Sequence, residues 1–151
     1  IELGWPTELL FLPLLLGGAA CVLGAEVGRR VRFRSMRRFY SVCALLCGVG
    51  TLLVGLAPAW GGLFGMMLVQ GVLEVYLLHE SQKLNDAIPS DQRATLISVD
   101  SMAYSLLMIP ASPLVGALGD AFGQAGAGLA ALGAAILASG LAAGLFASNK
   151  P

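Results

Sequence analysis

Charge is what this sequence has least of. Only 12% of its 151 residues are Asp, Glu, Lys or Arg, while 57% are apolar and mean hydropathy is +0.81. An ordinary soluble domain is about 25% charged. A water-soluble fold of this make-up would leave large apolar patches on its surface, so lipid is the natural solvent. Histidine occurs once and cysteine three times, at Cys21, Cys43 and Cys47. Isolated ligands of this kind lack metal-site spacing, so no metal is expected. Three cysteines inside apolar runs, with no Cys-x-x-Cys, exclude a disulfide framework and read as small packing residues. No Gly-x-x-x-x-Gly-Lys loop is present, and no nucleophile, base or metal cluster points to an enzyme. No cofactor is expected. Net charge is zero, and the basic loop is too short and too close to lipid for a nucleic-acid partner. The chain begins with Ile1 and lacks a basic leader, so no cleavable signal is expected. That start reads as a cut through a longer protein.

What the sequence does have is long apolar runs. A spanning helix needs about 20 mostly apolar residues, and five segments qualify: 9–27, 39–57, 60–79, 95–119 and 125–147. The expected fold class is therefore all-α, a polytopic transmembrane helix bundle of five spans. Residues 28–38 form an expected basic loop, residues 80–94 a polar loop, and 57–59 and 119–124 short turns.

The positive charges test this segmentation. Arg29, Arg30, Arg32, Arg34, Arg37 and Arg38 lie in the first loop, Lys83 and Arg93 in the third, and Lys150 after the last span. With five spans these three places share one side of the membrane. The positive-inside rule assigns that side to the cytoplasm, which puts the C-terminus inside and the N-terminus outside. Trp5 and Trp60 then fall at the outer interface, and Phe39 and Tyr40 at the inner one, where amphipathic rings prefer to lie. The basic loop is expected to meet anionic headgroups and helix-end carboxylates. The pairs Gly24/Gly28 and Gly140/Gly144 are spaced for close helix approach.

Charged side chains inside a span are costly and usually face a cavity or a partner. The second and fifth spans contain none. The third carries Glu74 with Gln70 one turn earlier; the fourth carries Asp100 with Tyr104 one turn later. Residues four apart share a helix face, so each pair makes a polar stripe. Glu74 lies roughly 8 Å from the cytoplasmic end of its span at about 1.5 Å per residue, and Asp100 at a similar depth. Each stripe fits a proton-coupling or substrate-contacting role, and equally an ion pair with the arginine loop or a carboxylate reaching water. Met66, Met67 and Met108 fit an adaptable apolar surface or ordinary packing. His79 reads as a solvated cap at a helix end. Pro110 and Pro113 lie inside the fourth span, where each removes a backbone donor and kinks the helix; such kinks occur in moving elements and in static bundles alike.

Three segments carry a family resemblance. The run Leu84-Asn85-x-x-Ile88-Pro89-x-x-x-Arg93-Ala94-Thr95-Leu96-x-Ser98 resembles the approach to the eleventh helix of major facilitator superfamily transporters. Pro110-x-x-Pro113-x-x-Gly116-x-x-x-Asp120-x-x-Gly123 is similar to the end of that helix in efflux members. Gly24-Ala25-Glu26-Val27-Gly28-Arg29-Arg30 resembles the second copy of the family's cytoplasmic Gly-x-x-x-Asp-Arg-x-Gly-Arg-Arg loop, with Glu26 two residues before Gly28 instead of three and Val27 where an arginine is expected. The resemblance implies helices eight to twelve of a twelve-helix fold. In that fold the ninth and twelfth helices are peripheral and the eighth, tenth and eleventh approach a central cavity. It implies two halves rocking about a central site and a missing N-terminal half of the same transporter as partner. Glu26, Gly28, Arg29, Arg30, Glu80 and Arg93 become candidate cytoplasmic gating residues, with Arg29 or Arg30 pairing Glu74 or Glu80 by analogy.

The leading expectation is secondary transport of a small molecule, proton-coupled efflux by alternating access in a prokaryotic plasma (inner) membrane. The alternatives are uptake of a sugar, peptide or amino acid, and a non-transporting multi-pass assembly or sensor partner.

Overall fold

The computed structural model describes residues 11–31, 35–57, 59–89, 92–122 and 126–148. They form five α-helices: α1 (Phe11–Arg30), α2 (Met36–Leu56), α3 (Ala59–Ala87), α4 (Arg93–Ala121) and α5 (Ala127–Ser148). All five are long and apolar enough to cross a membrane. In lipid, a helix is the one open-ended element that satisfies every internal backbone polar group by itself. The serines and threonine follow the same logic. Ser41, Thr51, Ser98, Ser101 and Ser105 each donate a hydroxyl proton to the carbonyl four residues earlier, at 2.8–3.0 Å.

The main packings link the helices in the order α1, α3, α2, α5, α4. Small residues make these contacts. The buried positions of α1 are Gly17, Ala20, Gly24 and Gly28, whereas its Leu14 and Val22 are 76% and 70% exposed. Small side chains inward and large ones outward is the pattern of helices packed in lipid, where burial of large side chains gives no advantage over lipid contact. Both expected glycine pairs lie at helix contacts. A Cβ on Gly24 would collide with the carbonyl of Gly71 in α3, and one on Gly28 would press on Leu78. A Cβ on Gly140 would meet Ala44 and Leu45 of α2, and one on Gly144 would touch Ser41. The chain is thus a multi-pass helical membrane protein.

The helices outrun the apolar spans. Gly28, Arg29 and Arg30 close α1, and Met36, Arg37 and Arg38 open α2, so both ends of the basic loop expected over 28–38 are helical instead. Residues 32–34, with Arg32 and Arg34, lie outside the described residues. The polar loop expected over 80–94 is likewise shorter, because Glu80–Ala87 continues α3 and Arg93 begins α4. Hydropathy marks the thickness of the lipid core, not the length of the helix. Glu80, Gln82, Lys83 and Leu84 are good helix formers and carry α3 beyond that core. Trp5, Lys150, and residues 9–10 and 125 of the expected spans lie outside the described residues.

Candidate functional site

Chemistry gathers at the end of the bundle where α1 ends and α2 begins. Glu26, Arg29 and Arg30 sit within one turn of α1. Arg30 Nε donates to Glu26 Oε1 at 2.7 Å, and Arg29 Nη2 donates to Glu26 Oε2. Spacings of three and four residues place these side chains on one helix face. Both arginines are largely exposed, so this pairing contributes little stability. The pairs that the structure shows for Arg29 and Arg30 are both with Glu26, within α1. The candidate gating residues Glu26, Gly28, Arg29 and Arg30 are all helical rather than in a loop, and Gly28 is a packing position against α3.

Glu80 takes part in a different cluster, between α2 and α3. The Tyr40 hydroxyl donates to Glu80 Oε1 and accepts a proton from Lys83 Nζ at 2.7 Å. The Lys83 ammonium also stands 5.0 Å from the Tyr40 ring centroid, within cation–π range. Beneath them Phe39 is fully buried. Its ring lies 5.5 Å from Tyr40, 6.5 Å from Tyr76 and 4.6 Å from His79. Such spacings favour offset and tilted aromatic packing. His79 is therefore not a solvated cap at a helix end. It is half-buried against Phe39 in mid-helix, with Nδ1 3.0 Å from the Val75 carbonyl oxygen. A cleft of about 380 Å³ opens beside this cluster, lined by Tyr40, Cys43, Ala44, Cys47, Leu73 and Tyr76.

Two more carboxylates stand on α3 and α4. Gln70 and Glu74 are half-buried, one turn apart on α3. Asp100 and Tyr104 are exposed, one turn apart on α4. Neither Glu74 nor Asp100 has a hydrogen-bond or ion-pair partner among the described residues. Glu80 lies six residues, roughly 9 Å along the helix axis, from Glu74.

Arg93 has a structural task. It opens α4, and its Nη2 donates to the Asn85 carbonyl in the last turn of α3 at 2.9 Å. A cation on the free carbonyls of a helix C-terminus satisfies an orphan acceptor and complements the helix dipole. Its Nε is buried without a partner among the described residues. Pro110 and Pro113 sit within α4, which continues through both as one helix. They deprive the carbonyls of Leu106 and Ile109 of their helical donors.

Sequence reasoning located Glu74, Asp100, Glu26 and Glu80 but missed Tyr40, Tyr76 and Lys83. Tyr40 was placed at an interface without its partner, because that partner lies on another helix 40 residues away. No group of three or more His, Cys, Asp or Glu able to hold a metal occurs among the described residues. Comparison with protein-family models, curated proteins and solved structures finds no match to the chain.

Proposed function

We propose that the chain forms part of a secondary active transporter of the major facilitator type, exporting a small amphipathic compound in exchange for protons. The observation that carries this reading is the pair of unpartnered carboxylates inside apolar helices, Glu74 on α3 and Asp100 on α4. A lone intramembrane carboxylate is expensive to keep charged and binds a proton readily, which is what a proton-coupling group needs. Between these carboxylates and the basic end of the bundle lies the hydrogen-bonded Lys83–Tyr40–Glu80 chain. It supplies exchangeable hydrogens on a route between water and the span. α2 and α5, which pack tightly on one another, carry no Asp, Glu, Lys, Arg or His in their apolar cores. In the major facilitator arrangement they correspond to the peripheral ninth and twelfth helices. On this reading the membrane is a prokaryotic plasma membrane, and the arginine-bearing end and the C-terminus face the cytoplasm.

The test is transport by the complete gene product in everted membrane vesicles, with ethidium and related amphipathic cations as probes. Proton-driven uptake into the vesicles is expected for the wild type and should fall at least tenfold in Glu74→Gln, with Asp100→Asn lower to a smaller degree. Retained proton coupling in the Glu74→Gln/Asp100→Asn double variant would remove the carboxylates from the mechanism. Absence of gradient-driven movement across amphipathic cations, sugars, peptides and amino acids in the wild type would favour a non-transporting membrane partner.

A further inference from the structure

A second feature lies at the arginine-bearing end, on the far side of Phe39 and Cys43 from the Tyr40 cleft and without Glu74 or Asp100 in its lining. α1 and α2 both pack on α3, and between them runs a groove of about 390 Å³. Its walls include Leu23 and Val27 of α1 and Val42 and Leu46 of α2, and Leu68 and Val72 of α3 form part of its floor. No charged side chain lines it, and neither Gln70 nor Glu74 contributes. From Ala20 to Val31 the α1 wall rises roughly 16 Å at about 1.5 Å per residue. That is about half of the roughly 30 Å hydrocarbon core, the depth of one leaflet.

The groove ends among arginines. Arg29 and Arg30 close α1, and Arg37 and Arg38 open α2. Arg29 and Arg30 share Glu26. Arg37 and Arg38 are exposed and have no acidic partner among the described residues. Arg38 precedes Val42 by four residues, so it stands on the groove side of α2, one turn beyond the apolar wall. An apolar slot one leaflet deep, with the unpaired Arg38 guanidinium beside its mouth, matches a molecule with an apolar tail and an anionic head. Guanidinium also suits phosphate, which it grips with two parallel hydrogen bonds.

We propose that this groove binds an anionic phospholipid of the surrounding leaflet, one acyl chain lying between α1 and α2 and the phosphate resting on Arg38. The proposal needs the chain to be a membrane protein and does not depend on transport. The lipid fills the space between α1 and α2 on α3, so leaflet composition bears on the stability of this end of the bundle.

The test uses the complete gene product in detergent with equal phosphatidylglycerol and phosphatidylcholine, and retained lipid is counted by native mass spectrometry. An unpaired arginine near a membrane surface favours an anionic lipid by a factor of about five, so phosphatidylglycerol should be retained about fivefold over phosphatidylcholine. Arg38→Gln should bring the ratio near one while leaving total occupancy in place. Val27→Trp/Val42→Trp, at wall positions 49% and 43% exposed, should expel both lipids from a protein whose thermal unfolding remains cooperative. A wild-type ratio near one, or a ratio unchanged by the arginine substitution, overturns the headgroup assignment. Full lipid retention by the tryptophan variant overturns the groove assignment. Val42→p-benzoylphenylalanine should photolabel lipid; a crosslink to polypeptide instead would show that a protein segment fills the groove.

Discussion

Gly24→Ala and Gly18→Ala are the same chemical change, six residues apart on α1, and they should differ sharply. A methyl on Gly18 would meet nothing within 4 Å. A methyl on Gly24 would run into the Gly71 carbonyl oxygen and stand 3.0 Å from both the carbonyl carbon and Cα of Gly71, where ordinary contact is 3.4–4 Å. The obstacle is backbone, so no rotamer change relieves it and α1 must lift away from α3. Overpacking a fitted contact costs about 1–3 kcal/mol, and a rigid obstacle belongs in the upper half of that range, about 2–3 kcal/mol. Both substitutions gain the same helix propensity, roughly 0.5–1 kcal/mol for Gly to Ala. That term cancels in the difference between the variants. With tenfold per about 1.4 kcal/mol, Gly24→Ala should unfold with an equilibrium constant roughly 30–150-fold larger than Gly18→Ala. Reversible unfolding in mixed micelles, or steric trapping in bilayers, measures this directly. Equal stability of the two variants would refute the close α1–α3 crossing.

Tyr40→Phe keeps the ring against Phe39 and removes the hydroxyl that joins Lys83 to Glu80; it should cost about 1 kcal/mol, read as a lower thermal midpoint, and Tyr40→Ala should cost more because the packing goes too. Arg93→Ala frees the Asn85 carbonyl, and amide exchange around residues 85–89 should quicken about fivefold, the effect of roughly 1 kcal/mol at a helix terminus, while exchange in α2 stays unchanged. Glu26→Gln breaks both ion pairs of α1 yet should leave the thermal midpoint nearly unchanged, because those arginines are solvent-exposed; a clear loss in thermal unfolding would mean that Glu26 holds more than its own helix.

Much of the fold was legible because lipid makes hydropathy a strong signal. Five apolar runs became five helices, and the small-residue pairs Gly24/Gly28 and Gly140/Gly144 became contacts. Helix ends were less legible. The polarity of Glu80, Gln82 and Lys83 ends the lipid core without ending α3, so a loop was expected where helix continues. The order in which helices pack could not be read, since α1 meets α3 before α2 and a linear sequence of apolar runs encodes no such preference. The cluster of Phe39, Tyr40, Tyr76, His79, Glu80 and Lys83 depends on that order and stayed hidden. Glu26 with Arg29 and Arg30 did carry a local signal, since three- and four-residue spacing on a helix predicts ion pairing. The family analogy directed those arginines elsewhere. Glu74 and Asp100 were found from sequence because a carboxylate among leucines is conspicuous in any register.

The most direct test is the side of the membrane on which each connection lies. Single cysteines at Ser35, Ala57, Gln92 and Phe122, in a background with Cys21, Cys43 and Cys47 replaced by serine, can be labelled in intact cells and in everted vesicles with a membrane-impermeant maleimide. Five spans with every arginine-bearing connection inside predict that Ser35→Cys and Gln92→Cys react from the cytoplasmic face, and Ala57→Cys and Phe122→Cys from the outer face. Reaction of Ser35→Cys and Gln92→Cys from opposite faces would break the five-span topology, and with it the placement of Glu74 and Asp100 inside the membrane.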